Sequence, residues 1–198
     1  DASANKGGVT SSSLEVLAAL ALTDAEHSEH MCLPELGGEP PEFYKSYVQE
    51  VQDIIESNAR LEFEAVWREH ERTGEPRFVL TDKISDKINE LNDAVMETDL
   101  FKSKRVRDAV MKHAVPQRLQ ELVGLEEILQ RVPENYLQAI FSCYIASRYV
   151  YKFGLTAPEP HFLSFMAPYL FEGDEVLSQP KTPSVQPSSP KKKKKSTK

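Results

Sequence analysis

Residues 43–72, FYKSYVQEVQDIIESNARLEFEAVWREHER, carry apolar side chains at Tyr44, Tyr47, Val48, Val51, Ile54, Ile55, Phe63, Val66 and Trp67. Most gaps are three or four residues, the spacing of one helix face and not the alternation of a strand. Gly74 and Pro76 supply the stop. A helix over this span is about 45 Å long at 1.5 Å per residue, longer than a small domain needs. Nothing between residues 37 and 177 alternates as strands do, so that region is expected to be all helical.

Working toward the C-terminus, Thr81 is placed to N-cap a helix with the stripe Ile84, Ile88, Leu91 and Val95. Val106, Ala109, Val110 and Met111 form a second stripe, which stops before Pro116. Pro116 and Pro133 are each expected at the first position of a helix, closed by Gly124 and Gly154. Leu125 to Val132 reads as one or two further turns. Tyr136, Leu137, Ile140, Phe141, Tyr144, Ile145 and Tyr149 make a wide apolar face, and Phe162 to Leu170 a last helix interrupted by Pro168. From Ser178 to Lys198 the chain holds four prolines, five serines, two threonines and seven lysines, and is expected to be disordered.

Working toward the N-terminus, Gly37-Gly38-Glu39-Pro40-Pro41 is a break. Before it stands Asn5-Lys6-Gly7-Gly8-Val9-Thr10-Ser11-Ser12-Ser13-Leu14-Glu15. The paired glycines read as a turn, or as a place where backbone passes close to a ligand. Ser12 and Glu15 have capping-box spacing, so Ser12 is expected to N-cap a buried helix through Leu14-Glu15-Val16-Leu17-Ala18-Ala19-Leu20. A glycine loop entering a helix N-terminus favours anionic groups.

The net charge is −7; with seven lysines and no acid after residue 177, residues 1–177 carry −14. An acidic body with a basic tail is not the profile of a nucleic-acid-binding domain. Apolar runs fall short of a transmembrane span, and the start has no signal-peptide pattern. Cys32 and Cys143 stand far apart, which suits reduced thiols in a cytoplasmic or mitochondrial-matrix protein.

The stretch from Lys6 to Ala18, KGGVTSSSLEVLA, resembles the end of the dinucleotide-binding domain in the large-subunit, NAD-specific glutamate dehydrogenases. Tyr44-Lys45-Ser46-Tyr47-Val48, Leu80 to Leu91, Val132 to Leu137 and Ala146 to Tyr151 are similar to the same family, which extends the likeness over residues 5 to about 170. The resemblance implies a mainly α chain with three parts: 1–36, the end of a Rossmann-like domain; 37–177, a helical C-terminal region; and 178–198, the tail. It implies NAD as cofactor, L-glutamate and 2-oxoglutarate as ligands, and a homo-oligomer. Carried over by position, Asn5 and Gly8 lie near the cofactor, while Val9 and Ser12 line the substrate pocket. In the family the serine at Ser12 donates a hydrogen bond to the side-chain carboxylate of glutamate, a role its oxygen can combine with capping. No catalytic residue is assigned: the chain has no G-x-G-x-x-G and lacks the lysine and aspartate segments that the family places earlier. As a fragment it is expected to be inactive, and its opening segment, separated from a parent strand, is expected to pack poorly.

Several groups invite other chemistry. His27, His30 and Cys32 have metal-ligand types but no obvious fourth partner, and a solvated helix end fits them better. Glu62, Glu64, Glu69, His70 and Glu71 around Trp67 read as the wet face of the long helix. The aromatic set from Tyr136 to Phe153 reads as core or subunit contact, with Arg148 the unusual member, able to meet a carboxylate or to reach solvent. Lys191 to Lys195 resembles a localisation signal or an anionic-surface anchor. The rival to an enzyme fragment is a helical adaptor using the 43–72 helix, the Tyr136–Phe153 face and the basic tail.

Overall fold

The computed structural model describes residues 2–34, 37–156 and 160–171, and only the backbone of residues 2–6. The expected disordered tail, 178–198, lies outside the described residues. Among the described residues nine α-helices follow one another: α1 (Ala2–Ala21), α2 (Asp24–His30), α3 (Glu42–Thr73), α4 (Arg77–Met96), α5 (Lys104–Ala114), α6 (Gln117–Val123), α7 (Leu125–Arg131), α8 (Glu134–Phe153) and α9 (Pro160–Phe171). A single 3-10 turn, Leu100–Lys102, sits before α5, and no strand occurs among the described residues.

The long helix matches its expected span within a residue at each end, because the signals at both ends are strong. Pro41 stands at its N-cap, and Gly74 ends it in the left-handed region at φ 73°, its N–H bonded to the His70 carbonyl. Prolines also occupy the N-caps of α4, α6 and α8, at Pro76, Pro116 and Pro133. Pro116 and Pro133 therefore sit one position before the expected first helical residue; their pre-set φ suits either place. Thr81 is not a cap. Helix α4 begins at Arg77, and the Thr81 hydroxyl donates to the Arg77 carbonyl from inside the helix.

Helix α8 is the centre of the packing. It lies along α4 in the most extensive pairing of the fold, and also meets α3, α5 and α9. Leu80 and Ile84 of α4, Val110 of α5, and Phe141, Ile145 and Val150 of α8 are all buried in one cluster. That cluster also contains Leu17, Ala18, Ala21 and Leu22, so the opening segment is packed and not loose, contrary to the expectation for a piece without its parent strand. Of the aromatic set, Phe141 and Tyr149 are buried, and Tyr136, Tyr144, Tyr151 and Phe153 pack half-buried against the same cluster; Tyr149 meets Phe153, Phe162 and Phe165 at ring distances of 5.1–5.6 Å.

The acids around Trp67 do not share one wet face. Glu62 and Glu69 are buried. Glu69 accepts from Arg72 at 2.6 and 3.0 Å and from the Leu155 N–H at 3.4 Å, while Glu62 accepts from the Tyr151 hydroxyl at 3.4 Å. Only Glu64 and Glu71 remain exposed, Glu71 accepting from the Trp67 indole at 2.9 Å. A helix turned toward α8 over its last third buries whichever residues face that way, and acids are tolerated there because donors meet them.

Candidate functional site

The paired glycines form no loop. Gly7 and Gly8 lie inside α1, which starts at Ala2, so Ser12 is a mid-helix residue and not an N-cap. Its hydroxyl donates to the Gly8 carbonyl at 3.1 Å, the back-bond of a serine within a helix. The reason is tertiary. A Cβ on Gly7 would stand 3.3 Å from the Ile55 methyl of α3, so the bare Cα lets the two helices approach closely. The sequence signal for chain reversal is thereby outweighed by packing.

Helical register then divides α1 into two faces, at about 100° per residue. Gly7, Thr10, Leu14, Leu17, Ala18 and Ala21 turn toward the bundle, with Leu17, Ala18 and Ala21 at 0% exposure. Positions 5, 8, 9, 12 and 16 turn the other way: Gly8 and Ser12 are exposed, and Val9 and Val16 are 64% and 46% exposed. The helix is apolar nearly all round in sequence but buried on one side only. The four positions assigned by resemblance, Asn5, Gly8, Val9 and Ser12, fall on the single open face; the Asn5 side chain lies outside the described residues.

That helix is held by groups far away in sequence. The Tyr47 hydroxyl of α3 donates to the Leu14 carbonyl at 2.7 Å, and the Tyr136 hydroxyl of α8 to the Ser13 carbonyl at 2.7 Å. Burial first, and then the nearby Glu50 charge, push the Tyr47 phenol above its usual range, so it remains a donor. At the other end Arg131 of α7 donates to the Ala21 carbonyl at 3.0 Å, where a cation suits the helix C-terminus, and to Glu26 at 2.7 Å.

Glu26 closes a capping box with Thr23 at the start of α2. Its carboxyl is held below the ordinary 4.5, first by the Thr23 N–H, then by the Thr23 hydroxyl, then by Arg131. A lowered value means stability that is present above pH 4.5 and lost as pH falls through the folded value. The α2 start should therefore loosen only below pH 4.5. Amide resonances of Thr23 and Glu26 followed through an acid titration check this; a midpoint at or above 4.5 would contradict it.

Gly8 is the chemical signal on the open face. Glycine inside a helix is about 0.5–1 kcal/mol worse than alanine, and a Cβ at Gly8 would meet nothing within 4 Å. Packing among the described residues therefore does not need the glycine; bare backbone on an open face suits a flat ring or a substrate carbon brought against it. Two grooves flank α1: one of about 580 Å³ against α5 and α8, the other of about 470 Å³ against α3 and α4. Val9 and Thr10 border both, whereas Gly8 and Ser12 border neither.

The other candidates separate in space. His27 Nδ1 lies 3.6 Å from Cys32 Sγ, His30 packs edge-on against Phe43, His70 faces the Glu75 carbonyl and His113 packs against Tyr169. No group of three metal-ligand types converges among the described residues. No described helix is long and apolar enough to cross a membrane. Sequence reading missed the tyrosine clamps on α1; each is a hydroxyl meeting a carbonyl 33 or 123 residues away, which no local pattern announces.

Residues 1–74 match the family model of the glutamate/leucine/phenylalanine/valine dehydrogenases, a stretch that runs from α1 to the glycine ending α3. The chain is 52% identical over 166 residues to glutamate dehydrogenase 2 of Dictyostelium discoideum, covering 84% of this chain and 16% of that protein. It is 52% identical over 167 residues to the NAD-specific glutamate dehydrogenase of Neurospora crassa, with 84% and 16% covered. To the NAD-specific glutamate dehydrogenase of Saccharomyces cerevisiae it is 40% identical over 169 residues, with 84% and 15% covered. The chain thus spans about one sixth of the length of these relatives. No solved structure matches it. Likeness of this degree over 84% of the chain makes it a region of the NAD-specific glutamate dehydrogenase family.

Proposed function

We propose that the chain is the C-terminal part of an NAD-dependent glutamate dehydrogenase, and that the open face of α1 forms one wall of the cleft where cofactor and substrate meet. The observation that carries this reading is the segregation of α1: Gly8, Val9 and Ser12 share the open face while the opposite face is buried. The parent reaction is oxidative deamination of L-glutamate to 2-oxoglutarate and ammonia. NAD, when bound, supplies the hydride acceptor. Residues 1–36 then end a Rossmann-like domain, residues 37–177 brace it, and the assembly contains several copies.

Each residue of the wall has a separate task. Gly8 admits the nicotinamide ring or the substrate carbon chain against bare backbone, with Asn5 placed one turn before it on the same face. Val9 shapes an apolar boundary. Ser12 orients the substrate by donating to its side-chain carboxylate. Its single proton is engaged with the Gly8 carbonyl, so the hydroxyl rotates away from that bond to meet the substrate. The exchange is favourable: an exposed neutral hydrogen bond is worth about 0.5–1.5 kcal/mol net, and one to a charged group about 1.5–3 kcal/mol. The chain alone lacks a glycine-rich cofactor turn and a catalytic lysine segment, so turnover belongs to the longer polypeptide.

The test is Ser12→Ala in that longer polypeptide. The Michaelis constant for glutamate should rise about tenfold, the equivalent of one charge-assisted hydrogen bond, with the constant for NAD changed less than twofold. An unchanged glutamate constant would remove Ser12 from the substrate pocket. The match to named dehydrogenases over 84% of the chain leaves the adaptor reading without an observation in its favour.

A further inference from the structure

The larger groove beside α1 contains an unsatisfied donor. Arg148 of α8 lines it, and its Nη1 atom is buried without a hydrogen-bond partner. The guanidinium carbon lies 5.3 Å above the Tyr144 ring, which supports the cation from one side and leaves the nitrogen without an acceptor. A buried donor on a permanent cation is costly unless an anion meets it. Among the described residues the only acid that borders this groove cannot serve. Glu50 is held on the opposite wall, accepting from the Gln117 and Arg118 N–H groups of α6 at 2.5 and 2.8 Å.

The rest of the groove points the same way. Lys112 and His113 of α5 bring further basic side chains to it, and the hydroxyls of Ser13 and Ser147 border it. Thr10, Asn58 and Gln117 also border it, and much of the rest of its wall is carbon, including Leu14, Ile54, Pro116 and Ile140. A volume of about 580 Å³ lies within the range of small-ligand sites. One guanidinium fork in a largely apolar groove suits the planar, singly charged head of a carboxylate with a short carbon skeleton.

We propose that the groove between α1, α5 and α8 is a binding site for a small organic carboxylate, gripped by Arg148. The ligand lies along the flank of α1 bordered by Val9, Thr10 and Ser13, which neither Gly8 nor Ser12 borders. Occupancy therefore stiffens the helix that presents the open face. The proposal does not depend on the parent reaction, because the residues it rests on all lie within this chain.

The probe is glutarate, a five-carbon dicarboxylate with no amino or keto group to react, added to the purified chain without NAD. Calorimetry should give saturable binding with a dissociation constant of about 1 mM, and the melting midpoint should rise with glutarate. Inorganic phosphate at the same concentration should bind at least about tenfold more weakly. Arg148→Met should weaken glutarate binding at least about tenfold, while its ligand-free midpoint equals or exceeds that of the unaltered chain, since a buried donor without a partner has gone. Should Arg148→Met fail to fold, Ala139→Phe decides: Ala139 is an exposed residue on the groove, and a ring there should block binding and leave helicity intact. No binding, tighter binding of phosphate, or undiminished binding in the folded variants would each overturn the assignment.

Discussion

Replacing Gly154 by alanine should destabilise the chain by about 3–5 kcal/mol, and lower its melting midpoint by roughly 10 °C at about 2–4 °C per kcal/mol for this size. Two causes act at one atom. Gly154 ends α8 at φ 78° and ψ −164°, a backbone region open essentially to glycine alone. A Cβ there would also stand 2.1 Å from Glu69 Oε1. Glu69 cannot move aside cheaply. It is 3% exposed, takes two hydrogen bonds from Arg72, and accepts from the Leu155 N–H just past the turn. Displacing it strands a buried carboxylate or breaks its pair. Denaturant unfolding of the purified variant measures the loss; a change below about 1 kcal/mol would show that the turn relaxes freely. The double variant Gly154→Ala with Glu69→Ala should lose less than the sum of its parts, because the second change removes what the new methyl strikes.

Gly8→Ala should act in opposite directions on stability and on activity. In the chain itself it should stabilise α1 by about 0.5–1 kcal/mol, the ordinary gain of alanine over glycine within a helix, because the added methyl meets nothing within 4 Å. In the full-length enzyme proposed above, the same methyl occupies the space where ring or substrate approaches. A displacement of about 1 Å there should lower kcat/KM about a hundredfold. Thermal unfolding and steady-state kinetics of the one variant give both numbers. A variant that is more stable and fully active would mean that nothing comes close to Gly8, and the open face of α1 would lose its assigned role. Gly7 is the internal comparison. There the methyl would meet Ile55 at 3.3 Å, so alanine strains the α1–α3 contact inside the chain.

Much of the architecture was legible from local pattern. Helix α3 could be bounded within one residue, since a proline starts it, a glycine stops it, and its apolar spacing holds over most of its length. The end of α8 at Gly154 was equally clear, because only glycine tolerates the turn that follows. Where the pattern misled, a local signal competed with a distant contact. The glycines of α1 signal a loop, and Ser12 with Glu15 signals a cap, yet the helix runs through both to Ala2 because α3 lies against Gly7. Glu62 and Glu69 look solvated by composition; the direction of α8 buries them.

By itself, then, the sequence determined that the described chain is helical, where most of its helices stop, and which family it resembles. Those properties depend on residues within a few positions of one another, through φ preferences, capping and periodicity. Only the tertiary structure decided which side of α1 faces outward, since that follows from Tyr47, Tyr136 and Arg131 reaching it from three other helices. The same holds for the first amides of α6, capped by Glu50 from 67 and 68 residues away, and for the buried Nη1 atom of Arg148 without an acceptor. Such contacts are settled when helices pack, because burial rewards whichever side chains meet across the interface, and no spacing along the chain encodes that meeting.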